Sequence, residues 1–96
     1  DARVRFGQPY LVAGDALMAL DRDEQAVDSY ERFVDANGSS IEGHVKLSRA
    51  QSGAKDAVGA KKSLDEALAT WAQIPGYARR AQLGWWLRAH LFRLFA

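Results

Sequence analysis

Ninety-six residues, 48% of them hydrophobic, suffice for one small domain or a section of a longer array. The absence of cysteine excludes disulfides, thiolate nucleophiles and zinc–thiolate sites, and fits a reducing, cytoplasmic setting. The net charge of +1 hides an asymmetry: residues 1–48 hold nine acids against five bases, residues 49–96 hold eight bases against three acids, and no acid follows Glu66. Such a skew is either chance or the mark of a dipolar chain that associates head to tail or offers its basic end to an anionic partner. No apolar run is long enough to span a bilayer, so the expected location is the cytoplasm, or the cytoplasmic domain of a membrane-anchored protein. The first residue is not Met, so the chain reads as a piece or a processed product, and its richness in Ala and Arg fits a GC-rich bacterial genome.

Residues 1–7 form an unassigned N-terminal extension whose Val4 and Phe6 are candidates to pack on the first helix. That helix is expected over residues 9–20, with Pro9 in the first turn, where its missing N–H costs nothing. Asp21-Arg22-Asp23 makes the turn, and Asp21 or Asp23 is expected to cap a second helix over 24–36. Asn37-Gly38 ends it, since both residues tolerate the left-handed conformation. Ser39 and Glu42 have the spacing of a capping box for a third helix reaching Gln51. Ser52-Gly53 stops that helix, and Asp56 caps a fourth running through Trp71, with Gly59 inside it admitting a close neighbour. Pro75 biases Ile74 away from helix, and a fifth helix follows over 77–95. No period-2 alternation suggests a strand. Short connectors make consecutive helices antiparallel, giving an all-α chain of two helix hairpins with a fifth helix stacked on the second.

A 34-residue offset relates the two hairpins. Ala26, Tyr30 and Phe33 recur as Ala60, Leu64 and Ala67, while Tyr10, Ala13, Gly14 and Leu17 line up with His44, Leu47, Ser48 and Gln51. Tyr10-x2-Ala13-Gly14-x2-Leu17 followed by Ala26-x3-Tyr30-x2-Phe33 resembles a tetratricopeptide repeat. The second unit departs from the pattern at His44, Ser48 and Gln51. The resemblance implies a short right-handed α-solenoid: repeat 1 over 8–40, a degenerate repeat 2 over 41–74, and a capping or association helix over 75–96. It also implies a groove for a peptide or partner helix lined by Leu11, Asp15, Met18, Glu42, Val45, Lys46, Arg49 and Ser52. Leu11 and Asp15 stand where the members that grip chaperone tails carry Lys and Asn, which counts against that ligand.

At 100° per residue the fifth helix carries two apolar stripes. One is Leu83, Leu87, Leu91 and Leu94; the other is Tyr77, Ala81, Trp85, Phe92 and Phe95. Arg79, Gln82, His90 and Arg93 share a polar face, onto which Trp86 also projects. A capping helix needs one apolar face, so the second calls for cover: a following helix, a second copy, another protein, the N-terminal segment or a membrane surface. Trp85, Phe92 and Phe95 are the expected anchors of an association surface, with Trp86 beside them and Arg88 and Arg93 as a charged rim.

No reactive constellation stands out. His44 and His90 lack a second ligand at helical spacing, so no metal or other cofactor is expected. Glu24, Asp28, Glu31 and Asp35 read as a solvated face, since nothing in the sequence would desolvate them. Arg79, Arg80, Arg88 and Arg93 spread around several sides of their helix, which disfavours nucleic acid as a partner. The expected function is a non-catalytic protein–protein interaction module, a scaffold or adaptor that binds protein or peptide and self-associates through its last helix as a homo-oligomer. A peripheral membrane-surface module built on the basic aromatic helix is the second reading.

Overall fold

The computed structural model describes residues 7–95, without the side chain of Phe95, so the expectations for Val4, Phe6 and the Phe95 ring lie outside the described residues. It is all-helical: α1 (Gln8–Ala19), α2 (Asp23–Ala36), α3 (Ile41–Gly53), α4 (Ala57–Gln73) and α5 (Gly76–Phe95), with no strand among the described residues.

The helix ends follow local chemistry, with three corrections. Gly7, at φ 79°, starts α1 from the left-handed region without a side-chain cap. Neither Asp21 nor Asp23 caps α2: Asp21 sits in the turn at φ 58°, and Asp23 falls inside the first turn, where its charge favours the N-terminal dipole. Asn37 ends α2 without entering the left-handed region, its Nδ2 donating to Phe33 O at 3.1 Å. The cap of α3 is Ser40, whose Oγ accepts from Gly43 N at 3.0 Å; Ser39 is one residue too early, and Glu42 turns instead to Lys46. Asp56 caps α4 as expected, accepting from Gly59 N at 2.9 Å. A Cβ on Gly59 would run into this Asp56 carboxylate as well as Gln51 of α3, so the glycine makes room for the cap as well as for a neighbour.

α1 and α2 run antiparallel, Tyr10 lying beside Arg32 and Gly14 against Tyr30. Two cores result. Leu11, Ala26, Tyr30, Phe33, Leu47 and Ala50 join α1, α2 and α3; Ile41, Val45, Leu64, Ala67 and Ala89 join α3, α4 and α5. A Cβ on Gly14 would overlap the Tyr30 ring, and one on Gly43 would lie 2.9 Å from the ring of Phe33. Ser48, fully buried, stands 34 residues after Gly14 and donates its hydroxyl to Ala60 O at 2.7 Å; Ser63 donates to Gln51 Oε1 at 2.6 Å. His44 is buried, its Nε2 donating to Gly38 O at 2.9 Å and tying the α2–α3 turn to α3.

Two glycines of identical chemistry should therefore respond oppositely to alanine. Gly14→Ala should lose about 1–3 kcal/mol through overpacking against Tyr30. Gly84→Ala, where an added methyl meets nothing within 4 Å, should gain up to about 1 kcal/mol of helix propensity. Urea unfolding of the pair checks both signs.

Candidate interaction surfaces

Where α1, α2, α3 and α5 converge, one lysine collects the charges. Lys46 Nζ lies 2.9 Å from Asp15 Oδ2 and 2.9 Å from Glu42 Oε2, while Tyr30 Oη donates to Asp15 Oδ1 at 2.6 Å. Two cations lie over the Trp85 ring, Lys46 Nζ at 5.4 Å and Arg88 Cζ at 4.3 Å from its centroid. Burial, and then the hydrogen bond to Asp15, push the Tyr30 hydroxyl well above the ordinary tyrosine range. Burial alone would lower Lys46, but its hydrogen bonds to Asp15 and Glu42 outweigh that and hold it above the ordinary lysine value.

Of the eight expected groove residues, Asp15, Met18, Lys46 and Arg49 line one depression of about 170 Å³ with Tyr30 as a further wall, and Glu42 joins them through Lys46. Leu11 and Val45 do not line it: both are buried, one in each core. Ser52 sits apart, on a hollow of about 480 Å³ with Ala57, Ala60, Lys61, Leu64, Asp65, Phe92 and Arg93. The groove's opposite charges thus largely satisfy one another, with Arg49 exposed at its edge.

α5 differs most from expectation. Trp85 and Phe92 turn inward and pack, half-buried, on the α3–α4 core around the fully buried Ala89. Gln82, expected on the polar face, is half-buried. Trp86 leaves the polar face as well: it stacks on Trp71 of α4 (centroids 5.2 Å apart, 28° between planes) and meets the edge of His90 at 4.4 Å. Arg79 lies over Trp71 at 5.4 Å and donates from Nε to Ile74 O at 3.0 Å. The sequence reading missed this Trp71–Trp86 latch, although two tryptophans on either side of the Pro75 break were its signal. Tyr77 is 90% exposed, and Arg88 and Arg93 are exposed. The apolar stripe left in solvent is Leu83, Leu87, Leu91 and Leu94, at 45, 47, 53 and 76% exposure.

Among the described residues, no group of His, Asp or Glu could hold a metal ion, and no helix is long and apolar enough to cross a membrane. Compared with models of protein families, with curated proteins and with solved structures, the chain matches none.

Two outcomes follow. Trp85→Ala should lower stability by about 2 kcal/mol, because a half-buried ring leaves the core; Leu87→Ala should stay within about 0.5 kcal/mol. Thermal melts compare them. Second, the folded state keeps the Tyr30 and Lys46 protons when the unfolded chain begins to lose them near pH 10. The stability they contribute is fully present below that pH and is lost as pH rises through their folded values. Tyr30→Phe should cost about 1 kcal/mol at neutral pH and flatten the alkaline decline, as read from urea midpoints between pH 8 and about 11.5.

Proposed function

We propose that this chain is a non-catalytic, tetratricopeptide-like protein-interaction module whose principal contact surface is the leucine stripe of α5. The observation that carries the reading is the placement of Leu83, Leu87, Leu91 and Leu94. They lie opposite the buried Ala89 on a helix that holds four arginines and no acid. Each leucine stabilises a complex by up to about 1.5–3 kcal/mol if burial on binding is complete, less in proportion to what α5 already covers. The basic flanks favour an amphipathic helix that carries acids beside its apolar face.

Equivalent burial at the 34-residue offset supports the repeat reading: Ala26 with Ala60, Tyr30 with Leu64, and Phe33 with Ala67 are all buried. The Asp15–Lys46–Glu42 groove takes a lesser part, because an incoming peptide would have to displace ion pairs already made.

The test uses a synthetic acidic amphipathic helix with leucines at heptad spacing, titrated by fluorescence anisotropy against the chain and against Leu87→Glu. Binding that drops at least tenfold in the variant, with unchanged circular dichroism, supports the reading. No binding to the peptide, together with salt-sensitive sedimentation on anionic vesicles, would replace it with the membrane-surface alternative.

A further inference from the structure

α5 is not the only helix with an uncovered apolar face. On α1, Pro9, Val12, Ala16, Ala19 and, at the C-cap, Leu20 are all exposed, Val12 at 59% and Leu20 at 65%. At 3.6 residues per turn they occupy an arc of about 100°, with no charged side chain inside it. Leu11 and Gly14 of the same helix face the core. The two helices stand at opposite ends of the packing order: α1 packs on α2, α2 on α3, α3 on α4, and α5 on α3 and α4. Among the described residues, therefore, two apolar faces are left uncovered. One sets Ala16 and Ala19 among Pro9, Val12 and Leu20; the other projects four leucines.

We infer that the α5 leucine stripe of one molecule docks on the α1 outer face of a second copy, in a head-to-tail contact. This inference rests on the interaction-module reading and names its partner. Side-chain size favours it, because leucines meeting Ala16 and Ala19 allow a closer approach than two facing leucine rows. Charge favours it more. Arg80 lies within the leucine stripe and Arg88 and Arg93 flank it, and no acid follows Glu66, so an α5–α5 pairing brings arginines together without counter-charge. At the C-terminal end of α1, by contrast, stand Asp21, Asp23 and Glu24 against the single base Arg22, and the first 48 residues carry −4 against +5 on the last 48. The contact is heterologous: each added copy leaves one α1 face and one α5 face free, so assembly continues past the dimer unless a ring closes. A single-helix seam falls short of the roughly 800 Å² per partner of a standard interface, so the contact is expected to be weak or transient.

Light scattering on the full 96-residue chain from micromolar to near-millimolar concentration tests this, with Leu87→Glu and Ala16→Arg as variants. The wild type should grow past the dimer. Each variant alone should stay monomeric, since each retains only one half of the contact. An equimolar mixture of the two should recover a mass twice that of a single chain and stop there, because the remaining ends are blocked. Should either variant lose helix content, Leu91→Glu and Val12→Arg replace them on the same faces. A wild type that stays monomeric overturns the inference, and so does an Ala16→Arg variant that still dimerises, which would mean α5 pairs with α5. If the monomeric wild type still binds the acidic helix through Leu87, only the self-assembly fails; if it binds neither, the interaction-module reading falls with it.

Discussion

The structure depends on α3 being buried on two sides at once. Leu47 and Ala50 go to the core shared with α1 and α2, Ile41 and Val45 to the core shared with α4 and α5. A helix committed to two cores has one narrow face left, and here that face holds Lys46. The lysine reaches Asp15 of α1, Glu42 of its own helix and the Trp85 ring of α5. The same two-sided burial that fixes the helix order thus brings one cation from the middle of the molecule within reach of both ends.

Repetition in the sequence becomes compensation in the packing. The first unit pairs the smallest residue, Gly14, with a large ring, Tyr30; the second has Ser48 and Leu64 at the matching positions. Added volume on one helix is offset by volume removed from the other, which keeps interior density constant. The serine brings a hydroxyl into a fully buried site, and it is tolerated because a carbonyl has a second lone pair: Ala60 O accepts from Ser48 as well as within its own helix. At these offset positions the packing thus takes either glycine against a ring or a hydroxyl against a carbonyl.

Five helices and their approximate limits were legible because caps, glycines and Pro75 act through neighbours in the chain. Asp56 could be read correctly, since nothing competes for its position. Ser39 and Ser40 could not be told apart, because which of them caps depends on how the chain enters α3, and Glu42 had a rival partner in Lys46. The orientation of α5 was not legible at all. Its two stripes are about equally apolar, and the choice between them turns on fit: Ala89 lets the backbone come close while Trp85 and Phe92 fill the space on either side. Trp86 then meets Trp71 across the break at Pro75, a contact set by the angle between two helices and not by periodicity. For the same reason only some of the expected groove residues share one depression. Helical spacing puts Leu11 near Asp15, one turn apart, and Val45 near Glu42 and Arg49, but Leu11 is enclosed in the core of α1, α2 and α3 and Val45 in that of α3, α4 and α5, while Asp15 and Arg49 stay exposed.

The outer surfaces are not treated alike. α2 shows Glu24, Asp28, Glu31 and Asp35 to solvent, and α4 shows Lys61, Lys62, Asp65 and Glu66, as expected of helices whose outer faces are permanently wet. The two end helices have no such finish. α1 is apolar on the side away from its core, and α5 answers its buried Ala89 with four leucines on the far side. Scattered exposed apolar residues need no explanation, but an aligned row on each terminal helix, with charged outer faces on the helices between, is a pattern. Charge is unevenly divided along the same chain: α2 carries five acids and one base, and α5 four arginines and no acid.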